Sequence, residues 1–313
     1  MHRYFLGTEL STVEREIVRY WQAIRELQPG PSQAYMEIWH QAVLNLLGQA
    51  AEPWRLAGAV CHEATILPRL LEVQQFSAVL HLRMASMMLC YLWEENGLAL
   101  AHAGRAGQLI ERATGWTLSA VFYLYDSLVR LRACVHQPPS EQERLHQQVA
   151  ANQEQLSVRA QHAPMNYRHK WYLVEAERAR VLEREGEARV AYDQAIDLAQ
   201  QHGYIQEAAL ANEVAGRIYL TLGREAVARL YLQAAYRGYL QWGAAGKVTQ
   251  METRYAAYMA PGASWSAPVE SPSNGSTEVT AGTGGSLDLA TTLKAAQALS
   301  SAITLPRLLE TMM

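Results

Sequence analysis

Between Leu210 and Tyr239, in LANEVAGRIYLTLGREAVARLYLQAAYRGY, small residues recur wherever two helices packed as a hairpin would have to touch. Gly216, Ala228 and Ala235 have almost no side chain, which lets helix axes approach to about 8–10 Å. Tyr219 and Leu232 are placed to fill the space between, and Gly223 to make the turn. Ala188, Tyr192 and Ala195 repeat the Ala, bulky, Ala spacing 40 residues ahead of Ala228, Leu232 and Ala235. The pattern calls for stacked helical hairpins, with these nine residues as packing contacts rather than chemistry.

The order and spacing resemble a tetratricopeptide repeat, a helical hairpin of about 34 residues. Its opening Trp and closing Pro are unmatched, since Asn212 and Leu240 stand there. Period-2 runs are scarce before residue 260, so helices are expected nearly throughout. Ser11 and Glu14 read as a capping box opening a helix from Thr12 to about Leu27, with Val13, Ile17, Tyr20, Trp21 and Ile24 on one buried stripe. A second helix is expected over Gln33–Gly48, and Trp54–Val73 is helical in period but contains Pro68, which either breaks it or opens a second short helix. Three hairpins follow: Phe76–Glu95 with Leu98–Thr114, Thr117–Val135 with Ser140–His162, and Asn166–Glu185 with Glu187–His202. Ser140 and Glu143 form a second capping box, and Ala245–Met259 would cap the array.

The expected fold is therefore all-α: a TPR-like helical-hairpin solenoid, degenerate over residues 1–162 and better formed over residues 163–260, each hairpin packing only on its neighbours. Residues 261–286, rich in Pro, Gly, Ser and Thr, read as a disordered linker. Residues 287–313 resume a short helical tail, which suggests a piece of something longer.

Charge excludes more than it suggests. Lys plus Arg number 27 against 30 Asp plus Glu, a net charge of -3, so no nucleic-acid partner is expected. Cys61, Cys90 and Cys134 lie in apolar periodic segments without CxxC spacing and read as buried reduced thiols. No apolar run reaches the roughly 18 residues of a membrane helix. A cytoplasmic setting without membrane contact is the expectation.

Several strings invite a chemical reading and fail it. Gly243–Val248, GAAGKV, has two residues between its glycines where a phosphate loop needs four, and reads as a turn between helices. His62-Glu63 opens like a zinc-binding HExxH helix, but Ile66 stands where the second imidazole belongs. The ten histidines are scattered and are expected mostly on the surface or in a groove. Glu175, Glu177 and Glu183 with Arg178, Arg180 and Arg184 read as a solvated face laced with ion pairs, and Met84, Met87 and Met88 as helix packing. No catalytic residue, cofactor or metal is expected.

Longer strings carry a family resemblance: MEIWHQAVLNLLG (Met36–Gly48), LCYLWEENGLALAHA, VFYLYDSLVRL (Val121–Leu131), QVAANQEQL (Gln148–Leu156), HAPMNYRHKWYLVEAERARVL (His162–Leu182), EAALANEVAGRIYL (Glu207–Leu220) and the run from Ala228 to Tyr255. From Tyr4 onward the chain resembles the helical-repeat region of very large bacterial multi-sensor signalling kinases. In that family a Ser/Thr kinase domain and a P-loop ATPase precede this region, and a GAF sensor and histidine kinase follow it. Residues 287–313 resemble the connector helix and first GAF helix. The resemblance implies a non-catalytic scaffold that contacts a protein partner or neighbouring domains of a parent kinase. The alternative is a small-molecule-sensing regulatory domain, with an effector bound by an inner surface of Tyr and Trp residues.

Overall fold

Apolar residues at helical spacing, broken by short polar turns, produce helices almost without interruption. The computed structural model describes residues 2–26, 32–110, 118–135 and 137–259, so the expected linker and tail lie outside the described residues. The chain divides into two units, Met1–Ser264 and Trp265–Met313, and every described residue belongs to the first. Its helices are α1 (His2–Phe5), α2 (Leu10–Glu26), α3 (Ser32–Leu46), α4 (Glu63–Glu72), α5 (Phe76–Leu92), α6 (Asn96–Ile110) and α7 (Ser119–Cys134). They continue as α8 (Pro139–His162), α9 (Pro164–Val181), α10 (Glu185–Gln201), α11 (Ile205–Thr221), α12 (Glu225–Trp242), α13 (Ala245–Arg254) and α14 (Ala256–Met259). The described residues form no strand beyond an isolated bridge between Ala57 and His62, and the all-α expectation holds.

The regularity of the array lies in its turns. Glu183, Gly203, Gly223 and Gly243 all have positive φ, and each follows the last by 20 residues. The next amide in each turn reaches back to close the helix: Arg184 N to Ala179 O at 2.9 Å, Tyr204 N to Ala199 O at 2.8 Å, Arg224 N to Tyr219 O at 2.8 Å and Ala244 N to Tyr239 O at 2.9 Å. This is the left-handed helix stop that satisfies the last carbonyls of a helix. Helices of 17 or 18 residues plus the turn thus fix a hairpin period of 40. Gln74 and Glu94 hold the same conformation without being glycine.

Neighbouring helices pair as α5–α6, α7–α8, α9–α10 and α11–α12. The expectation that each hairpin touches only its neighbours is not met, because the N-terminal layer packs on the last repeats. The Gln206 side chain donates to the carbonyl of Phe5 at 2.8 Å across 201 residues. The Tyr4 ring lies 5.7 Å from that of Trp242, and Gly48 meets Gly246 so closely that a Cβ on Gly48 would stand 3.3 Å from the Gly246 nitrogen. One apolar core consequently runs from Tyr4 to Tyr255.

Some local expectations change. Helix α2 begins at Leu10, where the Glu9 carboxylate accepts from the hydroxyls of Ser11 at 2.5 Å and Thr12 at 2.9 Å, so Ser11 is not the cap. Helix α8 starts at Pro139 with no side-chain cap, because a proline needs no partner for its missing N–H in the first turn. Tyr20 is 62% exposed rather than on the buried stripe with Val13 and Ile17. Residues 54–62 are not helical: Asn45 donates to the carbonyls of Pro53 and Arg55, and Gln41 accepts from the amides of Val60 and Cys61. Pro68 sits inside α4.

A Cβ at Gly216 would lie 2.8 Å from Leu232 Cγ, whereas one at Gly104, also within a helix, would meet nothing within 4 Å. Gly216→Ala should therefore lower stability by about 1–3 kcal/mol through overpacking. Gly104→Ala should raise it by up to about 1 kcal/mol through helix propensity. Denaturant unfolding of the two variants checks this opposite pair of signs.

Candidate functional site

Helix ends converge where the turns after α5, α9 and α11 meet the end of α7 and the start of α10. They enclose a groove of about 1010 Å³ lined by Arg132, Arg180, Arg189, Arg217 and Arg224 and by Glu94, Glu177, Glu183 and Glu185, among others. Arg132 and Arg180 occupy the last turns of α7 and α9, where a cation faces the negative end of the helix dipole. Arg180 grips Glu177 through Nε at 3.0 Å and Nη2 at 2.9 Å. The Tyr192 hydroxyl donates to the same carboxylate. Arg217 Nη1 donates to Glu94 at 2.7 Å, and Glu94 also pairs with Arg254 at 2.7 Å. Burial pushes the Glu94 carboxyl up, but Arg217, Arg132 and Arg254 outweigh it and hold the group below the usual carboxylate range.

Behind the groove lies a buried ammonium. Lys247 is fully buried and donates to Leu92 O at 2.9 Å, Glu213 Oε1 at 2.9 Å and Gln250 Oε1 at 2.6 Å. Glu213 Oε2 accepts from the Tyr239 hydroxyl at 2.7 Å. A second buried cluster joins α9 to α11: Glu207 accepts from Lys170 at 2.6 Å and meets His169 Nε2 at 2.6 Å. Burial would raise the Glu207 carboxyl, yet Lys170 and His169 bring it down to about 2.

Of the residues singled out by spacing, the groove takes Ala188, Tyr192 and Tyr219 into its wall. Ala195, Ala228, Leu232 and Ala235 are buried in the core, Gly216 presses on Leu232, and Gly223 is the left-handed turn. Tyr219 stacks on Tyr231 with ring centroids 5.3 Å apart. The groove is mainly charged, with Tyr192 and Tyr219 as the aromatic side chains of its wall.

The charge run on α9 forms the expected ion pairs, Glu175 with Arg178 and Glu177 with Arg180, but Glu177 is buried by Tyr192 and Arg180 rather than solvated. Most described histidines are exposed or half-buried, as expected, but His81, His102 and His169 are buried. His62 caps α4, its Nδ1 accepting from Ala64 N at 3.3 Å, and Glu63 pairs with Arg83 at 2.5 Å. Gly243 makes the expected turn, but Lys247 of the same string is the buried ammonium. The three thiols are free and buried, and burial pushes those of Cys61 and Cys90 up to about 12. Among the described residues no group of three or more His, Cys, Asp or Glu could hold a metal, and no helix is long and apolar enough to cross a membrane. Arg132, Arg217 and Glu94 carry no mark in the sequence, because the two arginines are ordinary in their helices, Glu94 is ordinary in its turn, and only tertiary contact gathers them.

Removing one partner of a buried ion pair strands the other charge, at about 3–5 kcal/mol. Lys247→Met should cost that much stability, and adding Glu213→Leu should recover most of it, as a double-mutant cycle in urea would measure. Burial also depresses three imidazoles, His81 to about 3 and His102 and His169 to about 4. A folded value below the unfolded one near 6.5 means that the unfolded chain binds protons first. Stability is then full above about pH 6.5 and falls toward pH 4, by about 1.4 kcal/mol per pH unit for each imidazole. Unfolding titrations from pH 7 to 5 should show that slope, and His169→Gln should make it shallower.

No protein-family model matches this chain, and no solved structure matches it. A stretch of 58 residues, 18% of the chain, is 43% identical to hybrid signal transduction histidine kinase G of Dictyostelium discoideum. The match spans 2% of that protein's length, so the similarity is to a small part of a much larger signal-transduction protein.

Proposed function

We propose that this chain is a non-catalytic helical-repeat scaffold in a multidomain signalling kinase, a segment that couples an ATPase region to a GAF sensor and histidine kinase region through protein contacts. The observation that carries the reading is the groove, where the turns of successive hairpins bring five arginines and four glutamates to one opening. Protein surfaces rich in arginine and in paired charge recognise a partner by electrostatic complementarity. The groove's buried carboxylates support a binding role over a chemical one: Glu177 is held by Arg180 and Tyr192, and Glu94 by Arg217 and Arg254. The partial similarity to a signal-transduction histidine kinase supplies the signalling context.

The test titrates the purified chain with separately purified ATPase and sensor segments of a multi-sensor kinase. Reversing two exposed charges, Arg189→Glu with Arg224→Glu, should weaken binding by about tenfold or more, since rim charges steer association, and should leave the fold intact. Phosphotransfer or ATP hydrolysis by the chain alone would refute the scaffold reading.

A further inference from the structure

The groove has more hydrogen-bond donors than its own acceptors can use. Its lining carries five arginines against four glutamates, an excess of one positive charge. At the rim Arg224 pairs with Glu185 at 3.3 Å. Deeper in, Arg180 commits Nε and Nη2 to Glu177, and Arg217 commits Nη1 to Glu94. Arg132 differs from these three in having no carboxylate bonded to it. Its Nη1 donates to the Tyr91 carbonyl at 3.0 Å and reaches Asn96 Oδ1 at 3.5 Å, and its guanidinium lies 3.8 Å from the centroid of the Tyr91 ring. Its Nη2 is buried and has no partner, and the buried Tyr91 hydroxyl has none either.

A guanidinium offers five N–H donors and no acceptor, so only an acceptor supplied from elsewhere can complete this set. An unpaired buried charge is costly, and the groove's surplus positive charge adds to the attraction for an anion. A carboxylate suits this donor set: its two oxygens lie in one plane and match the planar fork of a guanidinium, and its single charge goes with a lining that holds one more arginine than glutamate. The rim offers apolar surface beside the charge, with Val135, Ile218 and Leu222 in the lining.

We infer that the groove is a binding site for a small organic monocarboxylate, its carboxylate held by Arg132 with Arg180 and Arg217 and its apolar body against Ile218 and Leu222. This site does not depend on the scaffold reading, which concerns protein contacts and is tested with different molecules. Ligand binding to the folded state alone raises the melting temperature with concentration.

The probes are 3-phenylpropionate, its neutral amide 3-phenylpropionamide and the dianion phenyl phosphate, titrated into the full chain at neutral pH and read by thermal shift and calorimetry. The carboxylate should raise the melting temperature and bind at least about tenfold more tightly than the amide, the scale of one charge-assisted hydrogen bond. Arg132→Gln should abolish that preference, while Arg237→Gln, exposed on α12 and outside the groove, should keep it. Equal binding of acid and amide, tighter binding of phenyl phosphate, no shift with the acid, or an undiminished preference in Arg132→Gln would overturn the assignment. Should Arg132→Gln not fold, the acid, amide and phosphate arms on the unaltered chain decide the matter by themselves.

Discussion

A single buried ammonium ties the C-terminal half of the protein to its centre. Lys247 has three N–H donors and three acceptors, one each from the end of α5, from α11 and from its own helix α13. Burial alone would drive its proton off, and the Glu213 carboxylate opposes that. Glu213 in turn accepts from Tyr239 of α12, so the charge is neutralised and both carboxylate oxygens are used. Four helices therefore share one electrostatic knot. An apolar side chain in the same space could pack as well, but it would not specify which helix ends must meet.

That knot explains why the array differs from an open stack of repeats. In an open solenoid each unit answers only to its neighbours. Here the C-terminal cap folds back between α3, α5 and α11, and the glycine contact of Gly48 with Gly246 leaves no room for side chains at the junction. The 20-residue spacing of the left-handed turns keeps successive helices equal in length, so their ends stay level. Level ends bring the C-terminal parts of α9 and α11, which carry Arg180 and Arg217, to the same opening as Arg132 of α7, and the groove is the outcome of that alignment.

Fold class was legible in the sequence because it rests on local signals. The spacing of Gly216, Ala228, Leu232 and Ala235 states a helical hairpin without any knowledge of the remainder. The site was not legible, for two physical reasons. A charged residue on a helix reads as solvated unless its neighbour is known, and Glu177 is buried by Tyr192 of the next helix. The return of the chain on itself is equally silent in periodicity, since Phe5 and Gln206 carry no mark of their contact. The turns fall between these cases: Gly203, Gly223 and Gly243 announce left-handed stops, whereas Glu94 and Glu183 hold the same conformation at a strain cost that glycine would avoid.

The bond from Gln206 to Phe5 also bears on how the chain comes to be folded. Contacts between residues so remote in sequence raise contact order, and the loop must close before they stabilise anything. During synthesis at about 5–20 residues per second, the layer that holds Tyr4, Phe5 and Trp39 waits roughly 10–40 s for its partner helices to emerge. Trp39 meets Tyr4, Phe5 and His81 of α5 early in that interval, but the side of the layer that meets Gln206 and Trp242 stays uncovered to its end, so final closure is the event that converts a string of hairpins into one cooperative body.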